Sequence, residues 1–189
     1  MPSTFGGQSQ QRWGDNTLTQ NEYLRDFLLA DLSGKPTKTI DARRKGMLLV
    51  VFFRTNDANS QQTLAALQKF ADAYKETGKL TILAVSQNNE DETRDFVTEF
   101  GITFPCLLDR DQYLSMTYGV TVIPTAYLAA GDGLIVRKMS GYRGGILNQM
   151  SAKVALFAEV EQVVIDESAP MPEPPPPALP APEPEPAAA

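Results

Sequence analysis

The 189-residue chain contains no histidine and only one cysteine, Cys106. Without histidine there is no imidazole base for a Ser-His-Asp or Cys-His nucleophile, and no imidazole metal ligand. One cysteine cannot close an internal disulfide, build a four-thiolate zinc site or form a Cys-x-x-Cys redox pair. The expectation is no metal and no cofactor. Long apolar runs are also missing: the longest, Met47 to Phe53, is far too short to cross a bilayer, so no membrane insertion is expected. The start of the chain lacks a basic stretch followed by an apolar one and does not read as a secretory signal, which makes cytoplasmic the default location. Nor is there a basic surplus. The net charge is −6, and Asp166, Glu167, Glu173, Glu183 and Glu185 supply five of the negatives. The body is near neutral and carries no basic stripe, which argues against nucleic acid as a partner.

What is present divides into three parts. Residues 1–24 are polar and read as a flexible N-terminal segment. Between Leu18 and Leu32 the pattern is compatible with a helix or with a strand entering the Ser33-Gly34-Lys35-Pro36 turn. From Met47 the signals sharpen. Met47–Phe53 is an uninterrupted β-rich apolar run, as expected of a strand buried on both faces, and Leu80–Val85 reads as a second buried strand. Leu64, Leu67, Phe70, Ala71 and Tyr74 lie on one face of an intervening helix, for which Asn59 and Gln62 offer a capping box. A second helix is expected over Asp91–Phe100, a short strand over Phe104–Leu108 and a brief helix through Leu114. Strands at Thr125–Leu128 and Leu134–Met139 flank the hairpin signal Ala130-Gly131-Asp132-Gly133. The spacing of Ile146, Met150, Val154, Phe157, Val160 and Val164 predicts one long final helix. The order β-α-β-α-β-(α)-β-β-α gives an α/β domain over residues 25–165: a three-layer α/β/α sandwich with a central mixed sheet.

Residues 166–189 are a different material, holding ten of the fourteen prolines, and read as a disordered acidic tail that favours polyproline II. It is either a solvated, repelling tail or a ligand for aromatic-lined proline-binding modules.

The element order resembles the thioredoxin-like superfamily, and local stretches sharpen the resemblance. Tyr118-Gly119-Val120-Thr121-Val122-Ile123-Pro124-Thr125 is similar to the loop that carries a cis-proline in thioredoxins. Asp132-Gly133-Leu134-Ile135 with Gly141 resembles the closing hairpin and the glycine before the last helix. Phe104-Pro105-Cys106-Leu107-Leu108-Asp109 resembles the Phe-Pro-x-x-x-Asp segment of the redoxin branch, which holds the TlpA-like thiol-disulfide proteins and the AhpC-TSA peroxiredoxins.

The departure is at the chemical centre. Where that family carries its two redox cysteines, at the N-terminus of the first long helix, this chain has Asp57 and Ser60. A lone Cys106 among apolar neighbours reads as a small core hydrophobe, with a reactive thiol as the alternative. What the resemblance leaves is a possible peptide-binding surface at Ile123, Pro124, Asn56 and Tyr142; equally, the proline can be a purely structural inheritance. The leading expectation is a redox-inactive thioredoxin-fold protein that acts by binding unidentified protein partners or by assembly. The alternative is a thiol-dependent antioxidant or disulfide oxidoreductase using Cys106; a third reading is an accessory subunit docked by its tail.

Overall fold

A computed structural model describes residues 18–166. The expectations for residues 1–17 and 167–189 lie outside the described residues. A five-stranded mixed sheet has the order β5-β4-β3-β6-β7. Its strands are β3 (Met47–Phe53), β4 (Leu80–Ser86), β5 (Cys106–Leu108), β6 (Thr125–Ala129) and β7 (Ile135–Ser140). A separate hairpin pairs β1 (Leu28–Ala30) with β2 (Pro36–Lys38), which resolves the open N-terminal pattern in favour of a strand. The helices are α1 (Thr39–Arg43), α2 (Ala58–Tyr74), α3 (Glu90–Glu99), α4 (Tyr113–Thr117) and α5 (Gly144–Ala158).

The core follows from β3, all seven of whose residues are buried. Alternate side chains point to opposite faces of a strand. Met47, Leu49, Val51 and Phe53 pack against Leu64, Leu67 and Phe70 of α2, Phe96 of α3, and Leu147 and Met150 of α5. Leu48, Val50 and Phe52 pack on the other side with Leu114, Tyr118 and Tyr127. Each such side chain contributes roughly 1.5–3 kcal/mol by leaving water, so the central strand fixes both layers at once. β4 runs parallel to β3 in register from Met47↔Leu80 to Phe53↔Ser86, while β6 is antiparallel, with Phe52↔Thr125. The C-terminal ends of β3 and β4 and the start of β6 therefore share one end of the sheet. At the opposite end the backbones crowd together: a Cβ on Gly46 would lie 2.2 Å from the Lys79 carbonyl oxygen, so only glycine fits.

Two boundaries differ from the sequence expectation. Among the described residues the packed body already includes Leu18, ahead of residue 25. Leu18 and Leu24 are buried, the Asn21 and Leu24 N–H groups donate to the Ile135 and Gly133 carbonyls, and the Tyr118 hydroxyl donates to the Arg25 carbonyl. Isolated leucines in a polar stretch give no periodic signal, yet two suffice to tie the segment down. The last helix stops at Ala158, where Glu159 takes a left-handed conformation (φ 57°). The chain then doubles back along α5, and Val160 and Val164 remain exposed. Among the described residues no helix is long and apolar enough to cross a membrane.

Candidate functional site

Asp57 and Ser60 stand where β3 turns into α2. Asp57, not Asn59, caps this helix: its Oδ1 accepts the Ser60 N–H at 2.7 Å. Both residues are good cap formers, and the helix starts directly after the first of them. Ser60 is fully buried, and its Oγ accepts the Arg54 N–H at 3.3 Å. Asp57 and Ser60 thus hold the loop by hydrogen bonds. Further polar contacts complete the clamp. The Thr55 N–H donates to Asn88 Oδ1 (3.0 Å), Arg54 Nε donates to Gln87 Oε1 (2.8 Å), and Gln61 Nε2 donates to the Thr55 carbonyl (3.0 Å). Gln87 and Asn88 were not singled out in the sequence. Their signal was faint, a polar pair closing a strand whose register with β3 only the folded sheet reveals.

Across the sheet end lies the Ile123–Pro124 bond, which is cis. Pro124 is buried and directly precedes β6, whose Thr125 pairs with Phe52. The Pro124 carbonyl accepts the Gly141 N–H at 2.7 Å, and Thr125 Oγ1 donates to the Val122 carbonyl at 2.7 Å. Gly141 has φ +68°, a left-handed conformation that glycine adopts without strain. Ile123 is half-buried, and neither of its backbone polar groups has a hydrogen-bond partner among the described residues. Val122 is 46% exposed beside it.

The fold therefore brings Ile123, Pro124 and the Gly141-Tyr142 turn together. Tyr142 is half-buried, packed on the α2/α5 side of the core. Asn56 is less closely tied to them: it lines a different groove, with Gln61 and the α3 carboxylates Glu92, Asp95 and Glu99.

Cys106 stands apart from both. It lies in β5, two strands from β3, paired with Ala84. It is 3% exposed, its Sγ faces the Phe104 carbonyl at 3.9 Å, and burial pushes its thiol up to about 12. A reactive thiol needs an electropositive, partly exposed setting that lowers its pKa; this one has the reverse. Among the described residues no group of three His, Cys, Asp or Glu side chains is placed to hold a metal ion.

The AhpC/TSA family model matches residues 21–138. The chain belongs to the AhpC/TSA family. Among curated relatives it is 29% identical over 116 residues to the thiol-disulfide oxidoreductase ResA of Bacillus anthracis, covering 61% of this chain and 66% of that one. It is 29% identical over 140 residues to ResA of Halalkalibacterium halodurans, covering 73% and 77% respectively. The chain thus spans just under two thirds of the length of the Bacillus relative it matches. Among solved structures it resembles the thioredoxin domain of a thiol-disulfide oxidoreductase from Bacteroides vulgatus, with TM-score 0.63, 22% identity and coverage of 72% and 98%. Peroxidoxin BcpB from Mycobacterium tuberculosis gives TM-score 0.61, 14% identity and coverage of 74% and 96%. At these identities the structures speak for the thioredoxin-like fold alone.

Proposed function

We propose that this AhpC/TSA-family protein is a redox-inactive binding module that takes an extended protein segment beside Pro124. One observation carries the reading. At the two positions where the family resemblance puts redox cysteines, Asp57 and Ser60 are engaged in capping α2 and bracing its loop. A carboxylate and a hydroxyl form no disulfide and cannot take part in thiol–disulfide exchange. What supports binding is the open backbone of Ile123 next to a buried proline and an exposed Val122. An incoming strand pairs its main chain with such groups and seats alternate side chains on the flanking surface. Titration with extended apolar peptides, read by amide shifts at residues 121–125, tests this. Binding that is centred there supports it, and binding that leaves those amides unmoved contradicts it.

A second reading is favoured by the relatives, whose names are thiol-disulfide oxidoreductases. On that reading the Cys106 thiolate attacks a substrate disulfide, forms a mixed disulfide and expels the other sulfur as a thiolate, and an external thiol then releases the substrate. It requires an accessible, acidified Cys106, against which burial and the raised pKa both stand. Peroxide turnover or insulin reduction that disappears in Cys106→Ser would establish it.

A further inference from the structure

A chain of side-chain hydrogen bonds leads from a buried carboxylate to the sheet end beside Pro124. Asp109 is 1% exposed, and both its oxygens are satisfied. Oδ1 accepts the Leu114 N–H at 3.0 Å, while Oδ2 accepts the Ser115 N–H at 2.8 Å and the Ser115 hydroxyl at 2.6 Å. Ser115 Oγ in turn accepts Gln87 Nε2 at 2.9 Å, and Gln87 Oε1 accepts Arg54 Nε at 2.8 Å. An amide has one donor end and one acceptor end, so the bond to Ser115 turns the Gln87 oxygen toward Arg54. The backbone repeats the tie. The Gln87 N–H donates to the Phe53 carbonyl at 3.1 Å, and the Asp109 N–H to the Ser86 carbonyl at 3.0 Å.

Arg54 is the exposed end of this chain. Among the described residues its two Nη groups have no hydrogen-bond partner and it makes no ion pair. It also lies level with the open backbone of Ile123. Phe52 sits opposite Thr125 in an antiparallel pair, Arg54 follows Phe52 by two residues, and Ile123 precedes Thr125 by two. Both belong to the α4 side of the sheet. Ile123 packs on the cluster that holds Phe52, Leu114 and Tyr118, and the Gln87 that holds Arg54 reaches Ser115 of α4. The acidic groups close in the fold are engaged elsewhere. Asp57 caps α2, and Glu92 and Asp95 line the groove beside α3. A guanidinium whose Nε is fixed presents its Nη fork, which fits a carboxylate bidentately. Holding the side chain in advance also lowers the ordering cost of binding.

We infer that Arg54 is the charged anchor of the Pro124 site: the extended protein segment bound there carries an Asp or Glu side chain whose carboxylate takes the Nη fork while its main chain pairs with Ile123. Gln87 is the positioning residue for that fork. This rests on the peptide-binding reading above and adds to it the charge of the partner.

The test titrates the full chain with acetylated, amidated hexapeptides of Val and Ser carrying a single Glu, moved one position at a time, each against its Gln counterpart. Affinity is read from the amide shifts of residues 121–125 and from the Arg54 Nε–H signal. At one position Glu is expected to bind about fivefold tighter than Gln, the upper range for an exposed ion pair. Arg54→Gln, at an exposed position, abolishes that preference, and Gln87→Met, which keeps the charge, lowers it. Binding at 121–125 with no preference for Glu overturns the inference and leaves the peptide-binding reading standing. Failure of every peptide to bind overturns both. A preference that survives Arg54→Gln also overturns the inference, as does inorganic phosphate binding at Arg54 as tightly as the Glu peptide.

Discussion

Cys106 offers a quantitative test of the account. A thiol alkylates through its thiolate, and burial moves this thiol from 9.0 to about 12. At pH 7.5 that lowers the thiolate population about a thousandfold. Reagent access through the 3% exposed surface lowers the rate further. A second route runs through opening of β5, which exposes an ordinary thiol. If that opening costs at least ~5 kcal/mol, typical of a core strand, it too is suppressed by roughly three to four powers of ten. The two routes act in parallel, so the faster one governs, and it leaves native labelling at least ~1000-fold slower than labelling in urea. Iodoacetamide incorporation, followed by mass spectrometry with and without denaturant, gives the ratio directly. Native labelling within about tenfold of the unfolded rate would refute the argument and make Cys106 a candidate nucleophile.

Further expectations follow from the same contacts. Asp57→Ala removes the α2 cap and should cost about 1 kcal/mol, some 3 °C in Tm, measurable by thermal unfolding with the fold unchanged. The Tyr74 hydroxyl bonds Ser151 Oγ at 2.6 Å and accepts the Val163 N–H at 3.0 Å. Tyr74→Phe should therefore cost ~1–3 kcal/mol in urea unfolding, by leaving buried polar groups unpaired, and should speed amide exchange at Val163. Alkaline pH should also destabilise the protein. Between pH 9.0 and about 12 the unfolded Cys106 loses a proton that the folded one keeps, so stability falls as pH rises through that window. Burial likewise pushes Tyr127 to about 12, adding to the fall above pH 10. Cys106→Ala should flatten the curve between pH 9 and 10 in urea titrations, and an unchanged slope there would contradict the burial argument.

Some of this architecture was legible in the sequence because of where the residues end up. β3 is buried on both faces, so its apolar run is unbroken, β4 is buried over most of its length, and α2 between them shows one apolar stripe. Periodicity failed where a turn interrupts it. Val160 and Val164 keep the helical spacing of α5 although Glu159 has already reversed the chain. It failed again at Leu18 and Leu24, whose burial depends on a hairpin more than a hundred residues away. Asp57 and Ser60 could be placed at the turn from β3 into α2 by counting from the end of β3. Their bracing by Gln87 and Asn88 could not, because those contacts link positions 33 apart. The same holds for Asn56, grouped with Pro124 by sequence but lining a groove beside α3.

The proposed redox inactivity rests on a chain that has one cysteine, buried and with a raised pKa. The most direct measurement is insulin disulfide reduction with dithiothreitol, run in parallel on the wild-type protein and Cys106→Ser. Both are expected to stay at the protein-free rate. A wild-type rate above that background, abolished by Cys106→Ser, would contradict it.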